Sequence, residues 1–294
     1  MPDPLLEHSD AVVCIDFETG IGEGPVWDDQ RGVLWFVDIP ARLLLALNPA
    51  SGRVQRFEMP DLVTSIGLMS DERLVLSLRK EVCIFTPSTG KLELLCRIEA
   101  DCDANRLNDG KVGPDGCFWV GSMFIERPAQ PTGALYRVTP QGEVTCHAEG
   151  IHVSNGLAWS PDHRQMYHAD SRGSYIRRYD FDPATGRMTN PHTLATPTPE
   201  EGLPDGAAVD CQGNYWSAGI TAGCLNVFAP DGALRARLPA GQNWPTMPCF
   251  GGADGRTLFV TGLSRDGHKG TLTAFRSTVT GTPVARFGCP PVQA

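Results

Sequence analysis

The sequence lacks the features that mark membrane and nucleic-acid-binding proteins. Its longest apolar stretch, residues 43–47, is far too short to span a lipid bilayer. No block of Lys or Arg occurs, and 34 acidic residues against 25 basic ones give a net charge of −9. The basic surface needed for nucleic acid or anionic lipid is therefore missing, and we expect neither as a partner. The first residues contain no basic start followed by an apolar run, which predicts a cytoplasmic protein.

Motifs of several common enzyme and metal sites are also missing. The ten cysteines form no CxxC pair, and no Cys/His spacing is typical of zinc. We expect all ten to be reduced, because a chain of 294 residues buries enough core to be stable without disulfides. The sequence has no HExxH, no G-x-S-x-G elbow and no P-loop. These absences exclude the commonest zinc-protease, serine-hydrolase and nucleotide-binding sites.

What the sequence does contain is a repeat rich in turns. It has 32 glycines and 24 prolines, and a segment with a glycine, a turn and an alternating apolar strand recurs six times. Pro/Gly turns separate further strand-length runs within each copy, and almost no helical pattern occurs. The copies are aligned on Gly24, Gly67, Gly110, Gly156, Gly206 and Gly251.

The size of the repeat predicts the fold. Successive copies are 43, 43, 46, 50 and 45 residues apart, and a four-stranded propeller blade has about 40–50 residues. A β-sandwich or a solenoid would not use units of this length and strand number. The sequence therefore predicts an all-β, six-bladed β-propeller of four-stranded antiparallel blades, forming a single domain over residues 1–294. Residues 11–17 are expected to complete the last blade and close the ring.

Polar residues precede four of the six aligned glycines. These residues are Glu23, Asp109, Asn155 and Asp205, whereas Ile66 and Phe250 hold the other two positions. Equivalent positions of successive blades surround one axis, so the four polar side chains should converge. Converging carboxylates repel one another unless a cation neutralises them, which favours a divalent metal. Oxygen donors favour Ca²⁺, Mg²⁺ or Mn²⁺, although Zn²⁺ and Fe²⁺ also accept them. In the alternative interpretation, these side chains bond to backbone at the strand starts.

A second group of polar residues precedes the third glycine. It lies in residues 105–111 (NRLNDGK), which brings the Arg106 guanidinium and the Asn108 amide to the same rim. Both side chains are able to hydrogen-bond ligand hydroxyl or carbonyl oxygens. Glu126 follows in the next loop and is a further candidate. An ordinary polar loop and a solvated surface carboxylate are the competing interpretations.

With these motifs, the sequence resembles the sugar lactonase family that includes SMP-30, also called regucalcin, and the bacterial gluconolactonases and xylonolactonases. The resemblance covers nearly the whole chain, and residues 249–252 look closer to the bacterial aldonolactonases than to the animal proteins. It is carried by residues 22–27 (GEGPVW), 105–111, 121–123 (GSM), 154–162 (SNGLAWSPD), 203–206 (LPDG) and 249–252 (CFGG).

The resemblance implies the composition of the site. Members of the family are six-bladed propellers with one divalent metal held by a Glu, an Asn and an Asp, which correspond here to Glu23, Asn155 and Asp205. It further implies that Arg106 and Asn108 bind substrate oxygens. Glu126 would provide a supporting contact.

The implied activity is hydrolysis of a sugar (aldono) lactone to the aldonic acid, with a small-molecule sugar lactone as the partner. We expect a monomer, because propellers leave few open sheet edges. The metal would act as a Lewis acid, and Asp205 would serve as both ligand and general base. Three alternatives are a related propeller hydrolase acting on phosphoesters, a non-catalytic calcium-binding regulator, and a protein-interaction propeller. The polar residues before the glycines disfavour the last of these.

Overall fold

Twenty-five β-strands and no helix occur in the computed structural model, which describes residues 5–8, 10–128 and 130–289. The strands form six sheets, and the innermost strands of neighbouring sheets contact each other in a closed cycle. This arrangement is a six-bladed β-propeller, as the sequence repeat predicts. Within those residues, no helix is long and apolar enough to cross a bilayer. The ten cysteines are all unpaired.

The first three blades follow the chain in order, each numbered from its innermost strand outward. Blade 1 contains β2 (Gly22–Asp28), β3 (Val33–Asp38), β4 (Leu43–Asn48) and β5 (Arg53–Glu58). Blade 2 contains β6 (Ser65–Met69), β7 (Leu74–Ser77), β8 (Glu81–Thr86) and β9 (Lys91–Arg97). Blade 3 contains β10 (Asn105–Val112), β11 (Phe118–Phe124), β12 (Gly133–Val138) and β13 (Val144–Ile151).

The remaining blades complete the ring. Blade 4 contains β14 (Ser154–Trp159), β15 (Gln165–Asp170), β16 (Tyr175–Asp182) and β17 (Arg187–Ala195). Blade 5 contains β18 (Pro204–Val209), β19 (Tyr215–Gly219), β20 (Cys224–Phe228) and β21 (Leu234–Pro239). Blade 6 contains β22 (Pro245–Gly251), β23 (Thr257–Gly262), β24 (Leu272–Arg276) and, from the start of the chain, β1 (Val12–Val13).

The start of the chain closes the last blade. Val12 pairs with Ala274 and Val13 pairs with Thr273, so β1 covers the open edge of β24 in antiparallel register. The predicted closure is therefore confirmed, although only two residues of the predicted span 11–17 form the strand. Closure removes an exposed sheet edge that would otherwise be free to pair with another chain.

Blade 2 differs from the predicted four strands, because a fifth strand, β25 (Arg286–Phe287), pairs with β6 in parallel. Residues 277–289, which we call the C-terminal strap, lead from blade 6 to this position. On the way, Thr282 N–H donates to Val209 O in blade 5 at 3.2 Å. Blades 5 and 2 lie opposite each other in a ring of six, so the strap crosses the central channel.

Apolar side chains pack mainly between neighbouring blades. Trp35 and Leu44 of blade 1, for example, share one buried cluster with Leu68 and Leu76 of blade 2. The inner strand β2 is buried along its whole length, whereas the outer strand β5 is mostly exposed. Because each blade buries its faces against its neighbours, the inner strands are held rigidly around the channel.

Candidate functional site

Each inner strand with a polar residue before its aligned glycine has a break in its pairing register next to that residue. The pairing register shifts between Glu23 and Val26 in β2, and between Leu107 and Gly110 in β10. It also shifts after Asn155 in β14 and after Pro204 in β18. A β-bulge turns a side chain away from the regular alternation of a strand. β6, whose corresponding residue is Ile66, has no such shift.

Three buried carboxylates meet at this level of the channel. Glu23, Asp109 and Asp205 are 8%, 4% and 7% exposed. Burial, followed by the charges of Asp205 and Asp109, raises the pKa of Glu23 well above its usual value. Burial, followed by the charge of Asp109, does the same to the pKa of Asp205. The predicted convergence of side chains from blades 1, 3 and 5 is thus present.

Arg106 contributes a guanidinium to the same cluster. Its Nη1 donates to the Asn108 Oδ1 atom and to the Leu107 carbonyl, both at 2.8 Å. Burial lowers the pKa of Arg106 to about 10, while the charges of Glu23 and Asp205 act in the opposite direction. The guanidinium therefore stays charged at neutral pH. It interacts electrostatically with the carboxylates of Glu23 and Asp205.

Asn108 and Asn155 are joined by hydrogen bonds. Asn108 Nδ2 donates to Asn155 Oδ1 at 3.1 Å and to the Ser154 carbonyl at 2.9 Å. Asn155 Nδ2 donates to Ser171 Oγ at 2.8 Å. These bonds fix the orientation of both amides. They also leave the Asn155 oxygen with a second lone pair.

Asp109 belongs to this cluster, although the family resemblance assigns it no role. Its Oδ2 atom accepts from the Leu157 N–H of blade 4 at 3.1 Å. Its Oδ1 atom is buried and has no hydrogen-bond partner among the described residues. Burial raises the pKa of Asp109. Its place before an aligned glycine was the sequence signal for this residue.

Lys111 places a second, partly buried cation near the carboxylates. Its Nζ atom donates to the Ala207 carbonyl at 2.8 Å. Burial lowers the pKa of Lys111, whereas the charge of Asp109 raises it. Lys111 is therefore held by a neutral acceptor and by long-range attraction rather than by a close ion pair.

Glu126 and His152 do not take part in the hydrogen bonds that join Arg106, Asn108 and Asn155. Glu126 is exposed in the loop after β11, and no hydrogen bond or ion pair joins it to the cluster in the described ranges. His152 precedes β14, and its Nδ1 atom lies 3.3 Å from Asp170 Oδ2. The contact predicted for Glu126 stays a prediction.

The donor set fits an oxygen-preferring cation. Within the ranges that the structure describes, no three His, Cys, Asp or Glu side chains are arranged to hold a metal ion. The predicted set instead combines the carboxylates of Glu23 and Asp205 with the amide oxygen of Asn155. Two carboxylates with raised pKa values and the unpartnered Oδ1 of Asp109 indicate excess negative charge that a divalent cation would offset.

Comparisons with known proteins agree with this architecture. Residues 21–264 match the family described as SMP-30/Gluconolactonase/LRE-like region. Regucalcin of Xenopus laevis is 33% identical over 270 residues, covering 88% of this chain and 90% of that protein. The 6-deoxy-6-sulfogluconolactonase of Pseudomonas putida is 34% identical over 245 residues, covering 82% of each chain.

A solved structure shows the same likeness. The calcium-binding protein regucalcin from Agrobacterium tumefaciens superimposes with a TM-score of 0.88 at 27% sequence identity. The superposition covers 94% of this chain and 97% of that one. The shared fold thus extends over nearly the full length of both proteins.

Proposed function

Because the chain belongs to the SMP-30/gluconolactonase/LRE-like family, we propose that it hydrolyses a sugar lactone to the aldonic acid. The observation that carries the proposal is the group of buried carboxylates, amides and one guanidinium at one level of the channel. A sugar lactone offers a carbonyl and several hydroxyls to such groups. The similarity to the 6-deoxy-6-sulfogluconolactonase of Pseudomonas putida supports the same substrate class.

The protein would hold a divalent cation through Glu23, Asn155 and Asp205. When bound, such a cation polarises a carbonyl and lowers the pKa of bound water. The calcium-binding protein from Agrobacterium tumefaciens supports a divalent ion. Ca²⁺, Mg²⁺, Mn²⁺, Zn²⁺ and Fe²⁺ are the candidates. Metal analysis of the purified protein, followed by a lactone panel with each cation restored, identifies the native one.

The remaining side chains would orient the substrate. Arg106 donates hydrogen bonds to the lactone carbonyl or hydroxyl oxygens, and the Asn108 Oδ1 atom accepts a hydrogen bond from a substrate hydroxyl with its second lone pair. The hydrogen bond between Arg106 and Asn108 pre-orients both groups. Glu126, from the loop after β11, accepts a hydrogen bond from a substrate hydroxyl at the rim. Such positioning restricts the attack to one face of the carbonyl.

Asp205 would act as the general base. A carboxylate oxygen of Asp205 takes a proton from water as the water oxygen bonds to the carbonyl carbon. The bond between the carbonyl carbon and the ring oxygen then breaks, and the departing ring oxygen receives the proton that Asp205 took from water, which restores the Asp205 carboxylate. The product is the open-chain aldonic acid.

Replacing Asp205 tests the proposed reaction. Asp205→Ala should abolish cation-dependent ring opening, measured as acid release with a pH indicator. Asp254→Ala is a suitable control, because Asp254 is exposed and pairs with Arg276 far from the carboxylates. Circular dichroism establishes that both variants are folded. Full activity of the folded Asp205→Ala protein would refute the assignment.

A calcium-binding role without turnover is a second candidate function. It is favoured by the description of the Agrobacterium tumefaciens protein as calcium-binding. Titration calorimetry with Ca²⁺, run beside a panel of lactones and aryl phosphoesters, separates the possibilities. Binding without turnover of either panel supports a regulator, and turnover of phosphoesters alone supports a phosphoester hydrolase.

The single domain over residues 1–294, the monomeric state and the cytoplasmic location remain predictions. Light scattering on the purified protein tests the oligomeric state. Limited proteolysis tests the single domain, since one cooperative unit yields no stable fragment.

A further inference from the structure

A separate cavity of about 110 Å³ lies further along the central channel. Its walls are mainly apolar and include Leu68, Val112, Val209 and Phe250 from four different inner strands. None of the six predicted site residues lines it, and neither does Asp109. We call this space the channel cavity. It is therefore distinct from the cluster of carboxylates.

The C-terminal strap covers one end of the channel cavity. Four consecutive strap residues, 282–285, line it. The strap is fastened on one side by Thr282 N–H to Val209 O, and on the other by pairing of Arg286 with Leu68. Because both ends are hydrogen-bonded to opposite blades, the cavity has a fixed cover.

Lys111 provides the cavity with a cationic donor. The side chain lines the cavity and lies near the buried Cys249 thiol, which also lines it. Its ammonium has three donors, and the Ala207 carbonyl takes one of them. No other acceptor within the described ranges bonds to this ammonium, so its other two donors are available to a ligand or to water.

Nearby charges decide which acceptor suits Lys111. Asp109 and Glu23 both act electrostatically on the ammonium, so its positive charge is already offset. The same carboxylates repel an anionic group placed beside Lys111. A neutral hydrogen-bond acceptor avoids this repulsion.

We propose that the channel cavity binds a small neutral molecule with an apolar ring or chain and one oxygen acceptor, which bonds to Lys111. The apolar body lies against Val209 and Phe250, and the oxygen points towards the Nζ atom. Apolar walls with a single placed polar group are typical of small-molecule sites. An apolar cavity of roughly 150 Å³ is known to take up benzene, so one six-membered ring is an appropriate size.

Fluorine NMR on the full-length protein tests the proposal with three matched probes. 4-Fluorobenzyl alcohol carries the neutral acceptor, fluorobenzene lacks it, and 4-fluorobenzoate carries an anion. We expect saturable binding of the alcohol with a dissociation constant on the order of 1 mM. The other two probes should bind several-fold more weakly.

Two substitutions locate the binding. Ala208 lines the cavity, so Ala208→Leu should fill it and weaken binding of the alcohol at least about tenfold. Ala233→Leu makes the same change at an exposed position and should leave binding unchanged. Lys111→Met should remove the preference for the alcohol over fluorobenzene, whereas Lys91→Met, at an exposed lysine, should keep it.

Binding should also be independent of the proposed catalytic site. Asp205→Ala and treatment with a chelator should leave the affinity for 4-fluorobenzyl alcohol unchanged. Absence of saturable binding, or binding that Ala208→Leu does not weaken in folded protein, would overturn the proposal. Tightest binding of 4-fluorobenzoate would refute the proposed ligand class.

Discussion

The phenolic hydroxyl of Tyr215 donates a hydrogen bond of 2.8 Å to the carbonyl oxygen of Gly156, which directly follows Asn155. Gly156 has a φ of +66°, and a Cβ atom there would lie 2.3 Å from that hydroxyl. Blade 5 thus presses against the bulge of blade 4 at the residue after a proposed metal ligand.

Substitution of Gly156 should therefore lower the free energy of unfolding by more than the strain of its positive φ alone explains. Gly32 also has a positive φ, +63°, but a Cβ atom added there would meet no other atom within 4 Å. Gly32→Ala should cost about 1 kcal/mol from backbone strain. Gly156→Ala should cost a further 1–3 kcal/mol or so from overpacking. Urea unfolding measures both values, and equal losses would contradict the argument.

Replacing Asp109 should ease the repulsion among the carboxylates. The charge of Asp109 raises the pKa of both Glu23 and Asp205, so Asp109→Asn should lower both. A raised carboxyl pKa means that the folded protein binds more protons than the unfolded chain. In the metal-free protein, the contribution of these carboxyls to stability should therefore fall as the pH rises above about 4.

The variant is expected to lose less stability over the same pH range. Thermal unfolding in the presence of a chelator, from pH 4 to pH 8, compares it with the wild type. An unchanged dependence on pH would show that Asp109 does not interact with the other two carboxylates.

A divalent cation should stabilise the protein in a pH-dependent way. Binding to the folded state alone adds about 2.7 kcal/mol at a concentration 100 times the dissociation constant. The gain should be smaller at pH 5 than at pH 7, because protons compete for Glu23 and Asp205. Differential scanning fluorimetry with and without chelator measures it. Asp205→Ala should remove the gain and Asp254→Ala should retain it, whereas identical behaviour of the two variants would argue against the ligand assignment.

His168 should make the protein sensitive to mild acid. The ring is buried, its Nε2 atom lies 2.8 Å from Ser154 Oγ, and burial lowers the pKa of His168 to about 4. An unfolded histidine takes up a proton near pH 6.5, so the contribution of His168 to stability is lost as the pH falls from about 6.5 to 4. The loss from this residue is at most about 3 kcal/mol.

His168→Gln keeps a polar group opposite Ser154 but has no proton to gain. Urea unfolding at several values between pH 7 and pH 4.5 should show a shallower decline for the variant than for the wild type. If the two declines are parallel, the buried imidazole is not the source of the acid sensitivity.

The fold could be predicted from the sequence because the aligned glycines recur at the length of one blade. Closure by β1 was also predictable, since residues 11–17 have no other strand to pair with inside a blade. The added strand β25 was not. A strand of two residues, Arg286 and Phe287, is too short to show an alternating pattern. Its pairing with β6 depends on the path of the strap across the channel.

The site was predictable where it follows the repeat. Glu23, Asn155 and Asp205 each precede an aligned glycine, so the repeat alone brings them near one axis. The unpartnered oxygen of Asp109 was not predictable, because it depends on which backbone N–H of the next blade faces that carboxylate. Glu126 follows the end of a strand, where the periodicity no longer fixes a position.

Closure of blade 6 by the start of the chain has a kinetic consequence. Ser277 Oγ donates to the Leu5 carbonyl across 272 positions of sequence, whereas the four antiparallel strands of each other blade follow one another directly along the chain. Contacts between distant residues form slowly, because the loop entropy is lost before the contact forms. The four antiparallel strands of each of blades 1 to 5 are able to assemble from neighbouring segments, so docking of β1 on β24 is expected to be a late step that makes folding cooperative.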